Sequence, residues 1–177
     1  MLINIRKYSR SSYLIIAFLF CVMMSSCHSH RKITATPGHP EVSHLHVGKP
    51  NKTQKKIIDE ACEWIGTPYK YGGVSKGDGC DCSGMVMVIY ESIKGVKIPR
   101  NSAKQSEFCQ PINADEVEAG DLVFFATGKD PDRVSHVGLV IDNNSFIHAS
   151  SSKGVVISQL TSPYYQRTFR MYGRVPD

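Results

Sequence analysis

Residues 121–150 read DLVFFATGKDPDRVSHVGLVIDNNSFIHAS. Three runs within them, Asp121–Ala126, Val134–Ile141 and Ser145–Ser150, are short, rich in Val, Ile, Leu and Phe, and separated by Gly, Pro, Asp and Asn. That texture predicts consecutive strands, with a fourth at Val155–Leu160 and a last near Tyr172–Val175. Upstream the period changes. Asn51 or Thr53 can cap a helix running to about Ile65, with Ile57, Ile58, Ala61, Cys62 and Ile65 on one face, before Gly66 and Pro68 stop it. Cys82 opens a second helix whose apolar stretch, Met85–Ile93, reads as buried, and Ser102–Phe108 forms a short polar third. Helices first and consecutive strands after predict an α+β domain, N-terminal helices packed on an antiparallel β-sheet.

The charge of the chain lies outside this domain. Its net +5 comes from 21 basic and 16 acidic residues, yet from Lys52 onward 15 of each sign balance. A basic nucleic-acid binder is thereby set aside, and no nucleic-acid partner is expected. The remaining basic residues flank two N-terminal segments. Leu14–Met24 is an apolar run of eleven residues followed by Ser25-Ser26-Cys27. A helix needs about 20 apolar residues to cross a bilayer, so the run fits a secretory signal peptide, residues 1–26. Small residues before a cysteine resemble the bacterial lipobox, which implies acylation of Cys27 and a lipid anchor in the membrane. Residues 27–51 carry three prolines, two glycines and five of the seven histidines, and read as a flexible linker spanning on the order of 25–30 Å. His28-x-His30 and His44-x-His46 lack a Cys or carboxylate cluster at ligand spacing, so no metal and no cofactor are expected, although a metal-binding lipoprotein stays an alternative. Residues 52–177 remain as the domain.

The chemistry of that domain centres on Asp81-Cys82-Ser83-Gly84, which follows a glycine-rich loop and opens a helix. Helix N-terminal amides favour a thiolate and can hold an oxyanion. The dipole supplies about 0.3–1 kcal/mol, up to ~2, whereas lowering a thiol pKa by three units needs ~4 kcal/mol, so a nearby imidazolium must supply the rest. The domain has two histidines, His136 and His148, both in predicted strands. A cysteine, then a histidine, then a polar orienting residue is the order of papain-like enzymes.

The loop between the histidine strands decides whether the two rings can meet. A two-residue Asn143-Asn144 hairpin pairs Leu139 with His148 and sends the histidines to opposite faces. A three-residue loop, Asp142–Asn144, pairs Ile141 with Ser145 and Gly138 with His148, making the histidines diagonal neighbours. An odd-length turn or a bulge is therefore expected, with Asn143 or Asn144 at positive φ.

Six motifs follow one another between residues 54 and 175: Gly66-Thr67-Pro68-Tyr69-x-Tyr71-Gly72-Gly73, Asp81-Cys82-Ser83-Gly84, Pro99-Arg100-x-Ser102-x-x-Gln105, Gly120-Asp121-Leu122-Val123-Phe124-Phe125, Ser135-His136-Val137-Gly138 and Phe146-Ile147-His148-Ala149. In this order they resemble the NlpC-type family of papain-like bacterial cell-wall cysteine peptidases. The resemblance implies a papain-like fold and cleavage of peptidoglycan stem peptides, commonly between γ-D-glutamate and the diamino acid, through a thioester acyl-enzyme. It implies Cys82 as nucleophile, His136 as base, His148 as orienting residue and Tyr69 as a cleft tyrosine near the oxyanion. Asp81, Ser83 and Arg100 are candidates for binding the charged stem peptide, Arg100 foremost on charge. Cys80, in the loop before the nucleophile, departs from the pattern. With the lipid anchor, the reading places the protein in the bacterial cell envelope, on the outer membrane and facing the periplasm, where a wall hydrolase calls for a regulatory protein.

Other readings differ in class: a papain-like amidase or acyltransferase, or a non-catalytic wall-binding lipoprotein. Cys62 reads as core, a Cys80–Cys82 disulfide would silence the nucleophile, and Gly120-Asp121 reads as a turn before a strand rather than a catalytic acid.

Overall fold

The computed structural model describes residues 45–177. The signal segment, Cys27 and four of the five linker histidines lie outside the described residues. Helix α1 (Lys52–Cys62) begins at Asn51, whose side chain accepts from the backbone N–H groups of Thr53 and Gln54, while the Gln54 side chain accepts from Asn51 N. A two-stranded hairpin, β1 (Val74–Ser75) and β2 (Gly79–Cys80), leads into α2 (Cys82–Lys94), closed by Gly95 at φ 68°. Helix α3 (Ser102–Phe108) follows, then β3 (Gln110–Ile112), β4 (Leu122–Phe125), β5 (His136–Val140), β6 (Ser145–Ser150) and β7 (Gly154–Gln159). A short helix α4 (Pro163–Thr168) and β8 (Phe169–Arg174) end the fold. The main sheet is antiparallel in the order β3-β8-β4-β5-β6-β7.

Strand β4 shows why the apolar run at 122–125 has no polar alternation: the sheet is buried on both faces. Leu122 and Phe124 join the core formed with Ile57, Ala61, Met85, Val86 and Ile89 of α1 and α2. Val123 and Phe125 join a second cluster with Val140, Phe146, Leu160, Phe169 and Tyr172. Leu45 and Val47 pack into this second cluster, and Val47 N donates to the Asn143 side chain. So the end of the segment read as linker lies on the domain.

The buried face of α1 keeps Ile57 and Ala61 of the expected stripe but not Cys62 or Ile65. Ile57 and Ala61 are buried and Trp64 beyond them is 2% exposed, whereas Cys62 is exposed and Ile65 is 47% exposed. Trp64 continues the i, i+4, i+7 stripe, and the helix ends before Ile65 can join any face. Cys62 is thus a surface thiol and not a core residue.

Candidate active site

Asp81 shapes the mouth of α2. Its Oδ1 accepts from Gly84 N at 2.7 Å, capping the helix, and its Oδ2 accepts from Gly72 N at 2.7 Å in the preceding glycine-rich loop. Arg100 clamps the same carboxylate in bidentate fashion, Nη1 to Oδ1 and Nη2 to Oδ2 at 2.8 Å each, and its Nη1 also donates to Ser83 Oγ at 3.0 Å. Burial opposes ionisation of Asp81, but the Arg100 contacts and the Gly84 and Gly72 amides hold its carboxyl below the usual range. A Cβ at Gly84 would collide with the carbonyl oxygen of Gly73, so only glycine lets the loop rest against the helix start. Gln105, fully buried, donates to the carbonyls of Ser83 and Pro99 at 2.9 and 2.8 Å and ties α3 to the same helix end.

Cys82 is the first residue of α2, 8% exposed. Burial pushes its thiol up, against a lowering by the backbone N–H of Val137, a raising by Asp81, and lowering by the amides of Ser83 and Cys82 itself. Neighbouring Cys80 is fully buried and pushed up to about 11, chiefly by burial. Both are free thiols, as are Cys62 and Cys109.

The histidines come together as the loop counting requires. Strands β5 and β6 pair Leu139 with Ile147 and Val140 with Phe146, and Ile141 N donates to Ser145 O. This is the three-residue loop, and the same register sets Gly138 opposite His148. His136 Nε2 lies 2.9 Å from His148 Nδ1, the rings 4.9 Å apart and edge-on at 87°. The positive φ expected at Asn143 or Asn144 is absent: no non-glycine described residue has one. Instead Asp142 Oδ1 accepts from Asn144 N and Ser145 N, turning the chain without a left-handed residue. Gly138 matters here, because a Cβ would overlap the Phe146 ring, which stacks on His148 at 4.9 Å.

Two residues missing from the sequence reading complete this side. His148 Nε2 lies 2.9 Å from Ser158 Oγ and 3.1 Å from the Tyr165 hydroxyl. With His148 Nε2 bonded to these hydroxyls, its Nδ1 can accept from His136 Nε2–H, which leaves His136 Nδ1 free for Cys82. Burial lowers His136 to about 4. Burial, then His136 and Lys153, lowers His148 to about 3. Burial thus works against the charged forms of both the Cys82 thiol and the His136 ring, and so against the imidazolium partner expected from the sequence.

Cys82 stands between two hollows. One, about 690 Å³, is lined by Tyr69, Tyr71, Asp81, Ser83, Arg100, Lys129 and Arg133 among others. The second, about 430 Å³, contains Tyr69 and Cys82 again but also His136, His148, Ser158 and Tyr165. Tyr69 is half-buried, and burial with the nearby Cys82 and Asp81 pushes its hydroxyl up. Among the described residues no hydrogen bond joins the Cys82 thiol to His136; they share the wall of the second hollow. Asp121 takes no part, being ion-paired to Arg174 at 2.7 Å. No helix of the described residues is long and apolar enough to cross a membrane.

A profile described as the NlpC/P60 family matches residues 66–174. The chain belongs to the NlpC/P60 family. It is 43% identical over 119 residues to "Probable endopeptidase NlpC" of Escherichia coli K12, covering 67% of this chain and 76% of that one. It is 32% identical over 174 residues to "Murein DD-endopeptidase MepS/Murein LD-carboxypeptidase" of the same organism, covering 90% and 89%. Among solved structures, an NlpC/P60 family protein from Bacillus cereus superposes with a TM-score of 0.65 at 30% identity, covering 75% of this chain and 43% of that one. This chain thus spans less than half of that solved protein. The NlpC/P60 papain-like architecture and the endopeptidase relatives make the protein a hydrolase.

Proposed function

We propose that the protein is a cysteine endopeptidase of peptidoglycan stem peptides that cuts the γ-D-glutamyl–diamino acid bond. The observation that carries this is the chain of contacts from His136 to His148 to Ser158 and Tyr165 beside Cys82 at a helix N-terminus. The Cys82 sulfur attacks the scissile carbonyl as its proton passes to His136 Nδ1; backbone N–H at the helix start and Tyr69 stabilise the oxyanion. The C–N bond then breaks, His136 protonates the leaving amine, and a water activated by the same ring hydrolyses the thioester. His148 holds the His136 ring by its Nδ1 and takes no proton from the substrate itself. Arg100 faces the larger hollow while paired to Asp81, so it can meet a stem-peptide carboxylate there, with Ser83 alongside.

Mass spectrometry of purified peptidoglycan, digested with the wild type and with Cys82→Ala, tests this reading. Fragments split after γ-D-glutamate and absent with the variant are expected. Cys82-dependent cleavage at D,D or L,D bonds, the activities in the name of the Escherichia coli relative aligned over 90% of this chain, would keep the site and move the bond. No Cys82-dependent product would overturn the reading. The envelope location rests on the lipobox-like Ser25-Ser26-Cys27. Acylation of Cys27 is expected to tether the domain to the outer membrane, and loss of palmitate labelling in Cys27→Ala checks it.

A further inference from the structure

The two hollows beside Cys82 differ in chemistry. The larger carries both signs of charge: Asp81 and Asp130 against Arg100, Lys129 and Arg133. The smaller contains no carboxylate. Around His136 and His148 it presents the hydroxyls of Thr127, Ser135, Ser150, Ser151, Ser152 and Ser158, the phenols Tyr164 and Tyr165, and a single cation, Lys153. Among the described residues Lys153 has no ion-pair partner. It sits at the turn between β6 and β7, where Lys153 N donates to Ser150 O and Ser152 N to Ser150 Oγ. A ring of donors with one unpaired cation and no negative charge suits an anion.

The histidine determines which part of a substrate enters. In the reaction proposed above, His136 gives its proton to the leaving amine, so that amine must come to the histidine side of Cys82. His136 lines the smaller hollow and not the larger. The acyl portion therefore runs past Tyr71 and Arg100, and the leaving residue runs toward Ser150–Lys153.

We propose that this hollow is a leaving-group subsite in which Lys153 and the Ser150–Ser152 hydroxyls bind a free carboxylate on the carbon that bears the released amine. The inference rests on the reading of His136 as the acid, and it adds a substrate class. The favoured substrates end at the leaving residue or leave its α-carboxyl unblocked, and an α-carboxamide there is disfavoured. Lys153 acts on selection and not on the chemical step. Its charge lies near enough to His148 to lower that ring's proton affinity, which agrees with a cation held at this wall.

The test compares two synthetic tripeptides, L-Ala–γ-D-Glu–meso-diaminopimelate with its α-carboxyl free and the same peptide as the α-carboxamide. The full chain is expected to prefer the free acid by about tenfold in kcat/KM, equivalent to about 1.4 kcal/mol. Lys153→Ala should slow the acid about tenfold more than the amide, and Lys153→Arg should retain most of the preference. A preference unchanged in Lys153→Ala, or an equal loss on both peptides, would overturn the subsite. NMR titration of the Cys82→Ala protein separates this from the choice of scissile bond. Shifts at Ser150–Lys153 with the acid but not with the amide support the subsite even if the wild type cuts neither peptide, in which case the proposed bond fails alone. Identical or absent shifts there overturn the subsite even if cleavage is confirmed.

Discussion

The two walls of the cleft hold their polar groups by opposite means. On the Asp81 wall the groups are charged and saturated: one carboxylate takes two backbone amides, a guanidinium fork and a serine hydroxyl. On the histidine wall they are neutral and linked in series, ring to ring to hydroxyl, with burial pushing both imidazoles toward the uncharged state. A charged clamp suits a structure that must not move, since breaking it leaves a buried charge unpaired. A neutral relay suits a proton that must move at physiological pH, since neither ring is locked in its charged form. Substituting each wall in turn should separate these roles.

His136→Ala should have the largest effect. Removing the proposed base and acid is expected to lower kcat/KM by about 10³-fold, within the 10²–10⁴ range of general acid–base catalysis. Thermal stability should also fall, by about 1–3 kcal/mol, because His148 Nδ1 loses its partner in a residue that is 1% exposed. A peptide-cleavage assay with a parallel melting curve checks both.

Arg100→Ala tests the other wall and should act mainly on stability. In the intact pair the Asp81 side chain is 9% exposed, and the variant would strip this carboxylate of its counter-ion. Breaking a buried pair costs 3–5 kcal/mol, but Arg100 is itself 37% exposed, so about 2 kcal/mol is the expected loss in urea unfolding. A carboxyl pKa for Asp81 that rises in the variant, read by NMR, would confirm the clamp. Unchanged stability would mean that the amides of Gly72 and Gly84 suffice.

The pH response distinguishes the neutral relay from a resting thiolate–imidazolium pair. With the thiol pushed up by burial, alkylation of Cys82 by iodoacetamide should be slow at pH 7 and rise with pH, with no plateau reaching down to pH 5. The acid limb of kcat/KM should lie near 4, where His136 titrates, rather than near its ordinary 6.5. Stability has a defined sign as well. Above pH 6.5 both rings are neutral whether folded or unfolded. Below it the unfolded chain takes up protons that the folded chain refuses until about 4 for His136 and about 3 for His148. Stability should therefore fall as pH drops through that window, seen as a declining Tm. A fast, pH-independent alkylation from pH 5 to 8 would restore the ion pair.

The difference between the walls also explains what could be read from the sequence. The Asp81 wall is local: the cap, the proposed nucleophile and the glycine that admits Gly73 lie within Asp81–Gly84, and capping chemistry is short-range. Helix Ser102–Phe108 and strand Ser145–Ser150 were legible to the residue for the same reason, having polar starts or tight turns at their ends. The histidine register followed from counting three loop residues, although the Asp142 carboxylate replaced the left-handed asparagine in making the turn. Ser158 had a signal that could have been used: continuing the pairing from Ser150↔Gly154 to His148↔Val156 puts Ser158 on the face of His148, one diagonal away. Tyr165 had none. It lies on α4, a short helix that Ser162-Pro163 opens but no apolar period extends, and its approach to His148 is purely tertiary.

The smallest expected effect follows from those two residues. Either hydroxyl alone can accept from His148 Nε2–H, at 2.9 Å for Ser158 and 3.1 Å for Tyr165, so Ser158→Ala or Tyr165→Phe should each lower kcat only about two- to fivefold. Together they leave a ring N–H on a residue that is 1% exposed without a partner, which costs about 1–3 kcal/mol. The ring can then relieve that cost by moving its proton to Nδ1, where it faces the His136 Nε2 proton and breaks the relay. The double variant should accordingly lose on the order of tenfold more than the product of the single losses, with KM little changed, because what fails is the orientation of His136 and not substrate binding. A double-mutant cycle in kcat measures that coupling, and ¹⁵N shifts of the His148 ring report the tautomer directly. Additive single effects with an unchanged tautomer would reduce Ser158 and Tyr165 to packing around a histidine that Phe146 already holds by stacking.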